Sequence, residues 1–158
     1  MHKFSKAVLL TGLFAGTTDI LYAFIAGYMR QGVFAEKMFH YIAGGALGLE
    51  KSMSGGLAVA FLGLFFHYFI AMSFTILFFM LLPRLKFLSF DKYLVGILYG
   101  IFVNLSIKLI IFLFTPLPTQ PFILSRVFID WIVFGIVFGI PVVYSAYRFY
   151  KPTIHEKN

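Results

Sequence analysis

The sequence predicts an all-α polytopic membrane protein: a four-transmembrane-helix bundle with a short interfacial helix between spans 1 and 2. Three observations carry this. Of 158 residues, 61% are hydrophobic and only 12% are charged. A typical soluble domain is about one quarter charged, and so few charges cannot keep so much apolar surface in water. Four apolar stretches, about 7–29, 57–82, 93–115 and 128–149, reach the roughly 20 residues that a helix needs to cross a bilayer. Their residues do not alternate apolar with polar, which argues against barrel strands. Residues 1–150 therefore form a single integral membrane domain, and 151–158 form a polar C-terminal tail.

Each element has its own signature. The opening MHKFSKAVLLTGLFAG imitates a secretory leader, basic residues followed by an apolar run. Asp19 follows, no small-x-small cleavage site stands out, and the run continues to full spanning length, so a retained helix is expected. The connection 30–56 is the long one. In it Phe34, Met38, Tyr41, Ile42 and Leu49 share one helical face, with Glu36, Lys37 and His40 opposite. That pattern predicts a helix lying in the membrane interface. The glycines of GGALG are expected to loosen its end. Leu82-Pro83-Arg84 stops the second span and Thr115-Pro116 the third, because proline cannot continue the backbone ladder. TPLPTQPF, with three prolines, reads as a stiff, extended connection.

Charge sets orientation. Lys3, Lys6, Arg84, Lys86, Lys92, Arg148, Lys151 and Lys157 fall on one side of the predicted spans; Arg30, Lys37, Lys51 and Arg126 fall on the other. The positive-inside rule then puts both termini in the cytoplasm. The net charge of +7 lies mostly in loops and tails, where it directs topology rather than nucleic-acid binding. There is no cysteine, which excludes disulfides, zinc–thiolate sites and thiol catalysis.

The spans carry small-residue seams that let helices approach closely. Gly12, Gly16, Asp19, Ala23 and Gly27 form one; Ala60, Gly63, His67, Ala71 and Thr75 form another; Gly96, Gly100, Asn104 and Lys108 form a third. Gly135 and Gly139 mark the fourth span, with Asp130 near its start on another face. Gly12-x-x-x-Gly16 and Gly135-x-x-x-Gly139 are expected to serve packing within the chain. By depth, Asp19 and Asn104 fall near mid-membrane, His67 and Lys108 toward the outer side, and Asp130 near the outer end. Glu50, His40 and Arg126 are assigned to outer loops. The expected site is thus a buried polar cluster of Asp19, His67, Asn104, Lys108 and Asp130. A charge at the bilayer centre costs about 2.5–3.5 kcal/mol on insertion scales. Lys108 either pairs with Asp19 or Asp130, or snorkels to the interface. Asp19 is too short to snorkel and serves either as structural glue or as a functional site. His67 is expected to be a packed, hydrogen-bonded histidine rather than a ligand, and no metal is assigned.

IAGGALG, GLFFHYFIAMSFTILFFMLLPRL, GILYG, PLPTQP and GIPVVY together resemble small bacterial inner-membrane proteins of unknown function, and are loosely similar to the YagU-like family. The resemblance covers most of the chain after residue 40. It implies a bacterial inner-membrane location and marks His67 and Pro116–Pro121 as family features. Such sequences often carry a second histidine near the start of the last span, where this chain reads Asp130-Trp131, so the resemblance implies no paired-histidine metal or haem site here.

The first functional expectation is a structural or accessory membrane protein, embedded in lipid and packed with copies of itself or another membrane protein. The second is a small transporter or an ion- or proton-conducting protein, acting as an oligomer through the polar cluster. No Ser-His-Asp arrangement, HExxH motif or phosphate loop is visible, so no enzymatic activity, catalytic residue or cofactor is assigned.

Overall fold

The computed structural model describes residues 2–32, 34–85, 90–115, 117 and 123–155. The described residues are helical, with no strand among them. The helices are α1 (His2–Gln31), α2 (Ala35–Leu47), α3 (Leu49–Met53), α4 (Leu57–Leu81), α5 (Lys92–Phe114), α6 (Leu124–Phe134) and α7 (Ile140–His155), with a π-helical turn, Gly135–Gly139, joining the last two. Four helical stretches, Lys3–Arg30, Leu57–Leu81, Lys92–Phe114 and Leu124–Tyr150, are long and apolar enough to cross a membrane. The PLPTQP connection lies outside the described residues apart from Leu117, as do 156–158 of the tail.

Helix ends follow local chemistry. The Asp91 carboxylate accepts hydrogen bonds from the Tyr93 and Leu94 backbone N–H groups at 2.9 and 2.8 Å, starting α5. Such a cap contributes about 1 kcal/mol. Gly48, at φ 84°, ends α2 and donates its N–H to the Gly44 carbonyl at 2.9 Å, a backbone shape that a Cβ would strain.

Two expectations about the interhelical segment are corrected. The first two glycines of GGALG do not loosen α2, because Gly44 and Gly45 remain helical and only Gly48 ends it. A Cβ on Gly44 would meet the Ser52 hydroxyl and Leu117, so tertiary contact overrides glycine's weak helix propensity. His40 is not on an outer polar face either. It is buried, and its Nε2 donates to the Gly56 carbonyl at 3.2 Å. The reason is that α2 lies on α4: a Cβ on Gly63 would fall 1.9 Å from the Phe39 carbonyl oxygen. Of the three residues on the face judged polar, His40 meets the start of the second span, while Glu36 and Lys37 remain exposed.

Helix α1 packs between α4 and the α6–α7 rod, and that rod packs on α5. Backbones are closest where α5 crosses the rod. A Cβ on Gly100 would lie 2.4 Å from the Gly135 Cα, and one on Gly139 would lie 2.0 Å from the Gly96 carbonyl oxygen. The π turn sits at this crossing and has an identifiable cause. Pro141 has no N–H to offer the Val137 carbonyl four residues back. Thr18 on α1 supplies the donor instead, with Oγ1 2.6 Å from that oxygen. The Ile140 N–H reaches the Gly135 carbonyl five residues back.

At the end that holds the termini, aromatic rings fill the bundle. Phe4 meets Phe79 and Phe149 edge-on at 6.0 and 5.9 Å, and Phe78 lies 4.6 Å from Tyr99. Phe78 and Phe79 are fully buried. Tyr99 also donates its hydroxyl to the Phe74 carbonyl, which ties α5 to α4. The outer surface is apolar: Phe61, Phe65 and Phe69 form an exposed ladder along α4.

Candidate functional site

At the end away from the termini the helices border a cavity of about 490 Å3. Helix α1 contributes Asp19, Tyr22 and Arg30; α2 roofs it with Lys37, Met38 and Tyr41; α5 contributes Asn104; α6 contributes Asp130 and Phe134. Asp19 lies just past the midpoint of its span and Asn104 at the midpoint of its own. Arg30 stands eleven residues beyond Asp19, a rise of about 16 Å along the helix axis. The cavity therefore runs from a charged rim down to a polar floor near mid-span. Below the floor lie Val103, Phe138, Val142 and Val143, each fully buried or nearly so, so the cavity is closed toward the termini.

Rim and floor differ in how their charges are met. Both guanidinium nitrogens Nη1 and Nη2 of Arg30 donate to Asp130 Oδ1 at 3.2 Å. The Tyr22 hydroxyl donates to the same oxygen at 3.4 Å. At the floor, Asp19 has no hydrogen bond or ion pair among the described residues. Asn104 Oδ1 is buried and likewise without a partner. Buried polar groups are normally satisfied; among the described residues the buried exceptions are Asn104 Oδ1 and Trp131 Nε1, while Asp19 is unpaired in the cavity wall.

Of the five residues expected to cluster, the structure brings three together: Asp19, Asn104 and Asp130. His67 is elsewhere, on the α1–α4 contact, where Nε2 lies 2.8 Å from the Gly16 carbonyl. A carbonyl only accepts, so Nε2 carries the proton there. Lys108 is a correction to the expected cluster, and of its stated alternatives neither carboxylate pairing is seen. The lysine is exposed on α5 and makes no ion pair among the described residues; Asp130 is held by Arg30 instead. The reason lies in the helix period. Steps of four drift by about 40° each, so Lys108 stands about 120° around the helix from Gly96. The seam that begins against α7 has turned outward by that point.

The packing glycines lie at contacts within the chain. Gly12 faces Met72, Gly16 faces Tyr68 and Ala71, and Gly63 faces the α2 backbone. Gly96, Gly100, Gly135 and Gly139 form the α5 crossing.

Tyr22, Arg30, Lys37 and Tyr41 were not in the expected cluster. A signal for Arg30 was present: eleven residues are close to three turns, placing it within about 20° of Asp19 on the same face. Lys37 was assigned to solvent because it lies opposite the apolar face of α2, yet it reaches the rim from the edge of that helix. Among the described residues no group of three His, Asp or Glu side chains could hold a metal ion.

Fold and site define a class: a chain whose described residues are helical, with four helices apolar enough to cross a membrane, bordering an open, largely apolar cavity with charged residues in its wall at the end away from its termini. Comparison with protein-family models, curated proteins and solved structures finds no match.

Proposed function

We propose that this chain is a small integral membrane protein of the bacterial inner membrane, with both termini cytoplasmic, that holds a small polar solute in its outer-half cavity as part of a transport or solute-sensing role. One observation carries the reading: Asp19 stands unpaired in the wall of a cavity that Asn104 also lines. A carboxylate kept in a span for structure alone is expected to be paired, since an uncompensated buried charge is destabilising by several kcal/mol. One left open to a cavity of small-molecule size fits a binding role. The orientation rests on the eight-to-four bias of Lys and Arg toward the side of the termini.

An accessory role has its own support. The Phe61–Phe65–Phe69 ladder exposes a wide aromatic face on α4, suited to lipid or to a neighbouring membrane helix, from the same chain or another.

The test is Asp19→Asn in purified, detergent-solubilised protein. A solute-site carboxylate can be neutralised without loss, so the variant should unfold at the wild-type temperature or higher. Unfolding at a markedly lower temperature would assign Asp19 to structure and remove the basis of the solute reading.

A further inference from the structure

The charges along the cavity specify more than polarity. Two carboxylates, Asp19 and Asp130, and two cations, Arg30 and Lys37, line it. Arg30 and Asp130 neutralise each other at the rim. What remains is one uncompensated carboxylate at the floor and one uncompensated ammonium, Lys37, on the roofing helix. The floor offers one charged acceptor, the Asp19 carboxylate; Asn104 also lines it, with its Oδ1 itself buried. A carboxylate selects a charged N–H donor. The Lys37 ammonium, with no carboxylate partner among the described residues, selects an anionic group.

Resting on the solute-binding reading above, we infer that the cavity takes a small zwitterion, its primary ammonium on Asp19 at the floor and its anionic group toward Lys37. The volume of about 490 Å3 is within the range of roughly 300–1,000 Å3 typical of small-molecule sites. A quaternary ammonium fits less well, because it has no N–H for the Asp19 carboxylate. Depth separates a free solute from a lipid headgroup. The floor lies about 16 Å along α1 from Arg30, near mid-span, whereas headgroups stay at the interface. A free solute is therefore the occupant.

The experiment uses the full chain in detergent without added phospholipid and follows thermal unfolding as ligand is titrated, since a ligand of the folded state raises the unfolding temperature. The probes are glycine, 4-aminobutyrate and 6-aminohexanoate, a series that varies the spacing of the two charges, with butylamine and butyrate as single-charge controls. At least one zwitterion should stabilise the wild type more than either control. Asp19→Asn and Lys37→Gln should each weaken that zwitterion about tenfold or more, as expected for one charge-assisted hydrogen bond. Lys37 is exposed, so its variant tests the inference even where Asp19→Asn fails to fold. Butylamine binding as tightly as the zwitterions, with Lys37→Gln unchanged, would overturn the zwitterion assignment and leave the cavity as a cation site. No binding by any zwitterion would also overturn it. If Asp19→Asn were in addition destabilised, the solute reading would fall with it.

Discussion

Arg30 and Asp130, a hundred residues apart in sequence, join two helices at the end away from the termini, with Nη1 and Nη2 each 3.2 Å from a single carboxylate oxygen. The pair sits at the rim and is partly exposed, so it contributes at most about 1 kcal/mol to stability. Its position matters more, because it ties α6 to α1 over the cavity. Arg30→Gln should leave the unfolding temperature nearly unchanged and speed the reaction of a cysteine placed at position 19 with a polar maleimide. A large stability loss with no change in labelling would show a purely structural pair.

The Gly100–Gly135 crossing is expected to tolerate almost no added volume. Gly100→Ala puts a methyl 2.4 Å from backbone, whereas Gly12→Ala meets only the flexible end of Met72, whose sulfur lies 2.8 Å away. Overpacking of rigid contacts destabilises by about 1–3 kcal/mol or more. Gly100→Ala should unfold well below wild type and Gly12→Ala close to it. Equal behaviour of the two would mean that α5 and the π turn can separate at little cost.

Thr18→Val removes the donor that serves the Val137 carbonyl while keeping side-chain volume. With Pro141 unable to donate, that oxygen loses its tie to α1, which should destabilise by about 1–3 kcal/mol. Chemical denaturation of the two proteins checks this. An unchanged midpoint would show that the π turn satisfies the carbonyl by itself.

Lys108→Met should unfold at or above the wild-type temperature. Lys108 is exposed on α5 and makes no ion pair among the described residues, so its loss strands no carboxylate. His67→Phe should behave differently, losing the bond to the Gly16 carbonyl and about 1–2 kcal/mol. A markedly destabilised Lys108→Met would restore the lysine to the bundle interior.

Class and span number were legible in the sequence because they depend on bulk hydrophobicity and length. The four predicted spans lie within a few residues of α1, α4, α5 and the α6–α7 rod. The glycine seams were legible as well, since spacing of four is enough to mark a close contact. The partners of the charges were not. Lys108 was left to pair with Asp19 or Asp130 or to snorkel, yet Asp130 pairs with Arg30, counted only as an orientation charge. The helix period distinguishes these residues, because Lys108 has rotated off its seam while Arg30 has returned to the Asp19 face. His40 was misread for another reason: a position on the polar face of an amphipathic helix becomes an interior one once a second element covers it, and sequence periodicity does not show what covers what.

The most direct measurement uses the absence of native cysteine. Asp19→Cys, placed in the otherwise cysteine-free chain, would be exposed in intact and in inverted membranes to a membrane-impermeant maleimide. Labelling from the outer face, blocked from the cytoplasmic face, is the expected result for a cavity that opens outward and is closed below by the valine and phenylalanine core. Labelling only from the cytoplasmic face, or from neither, would contradict the account.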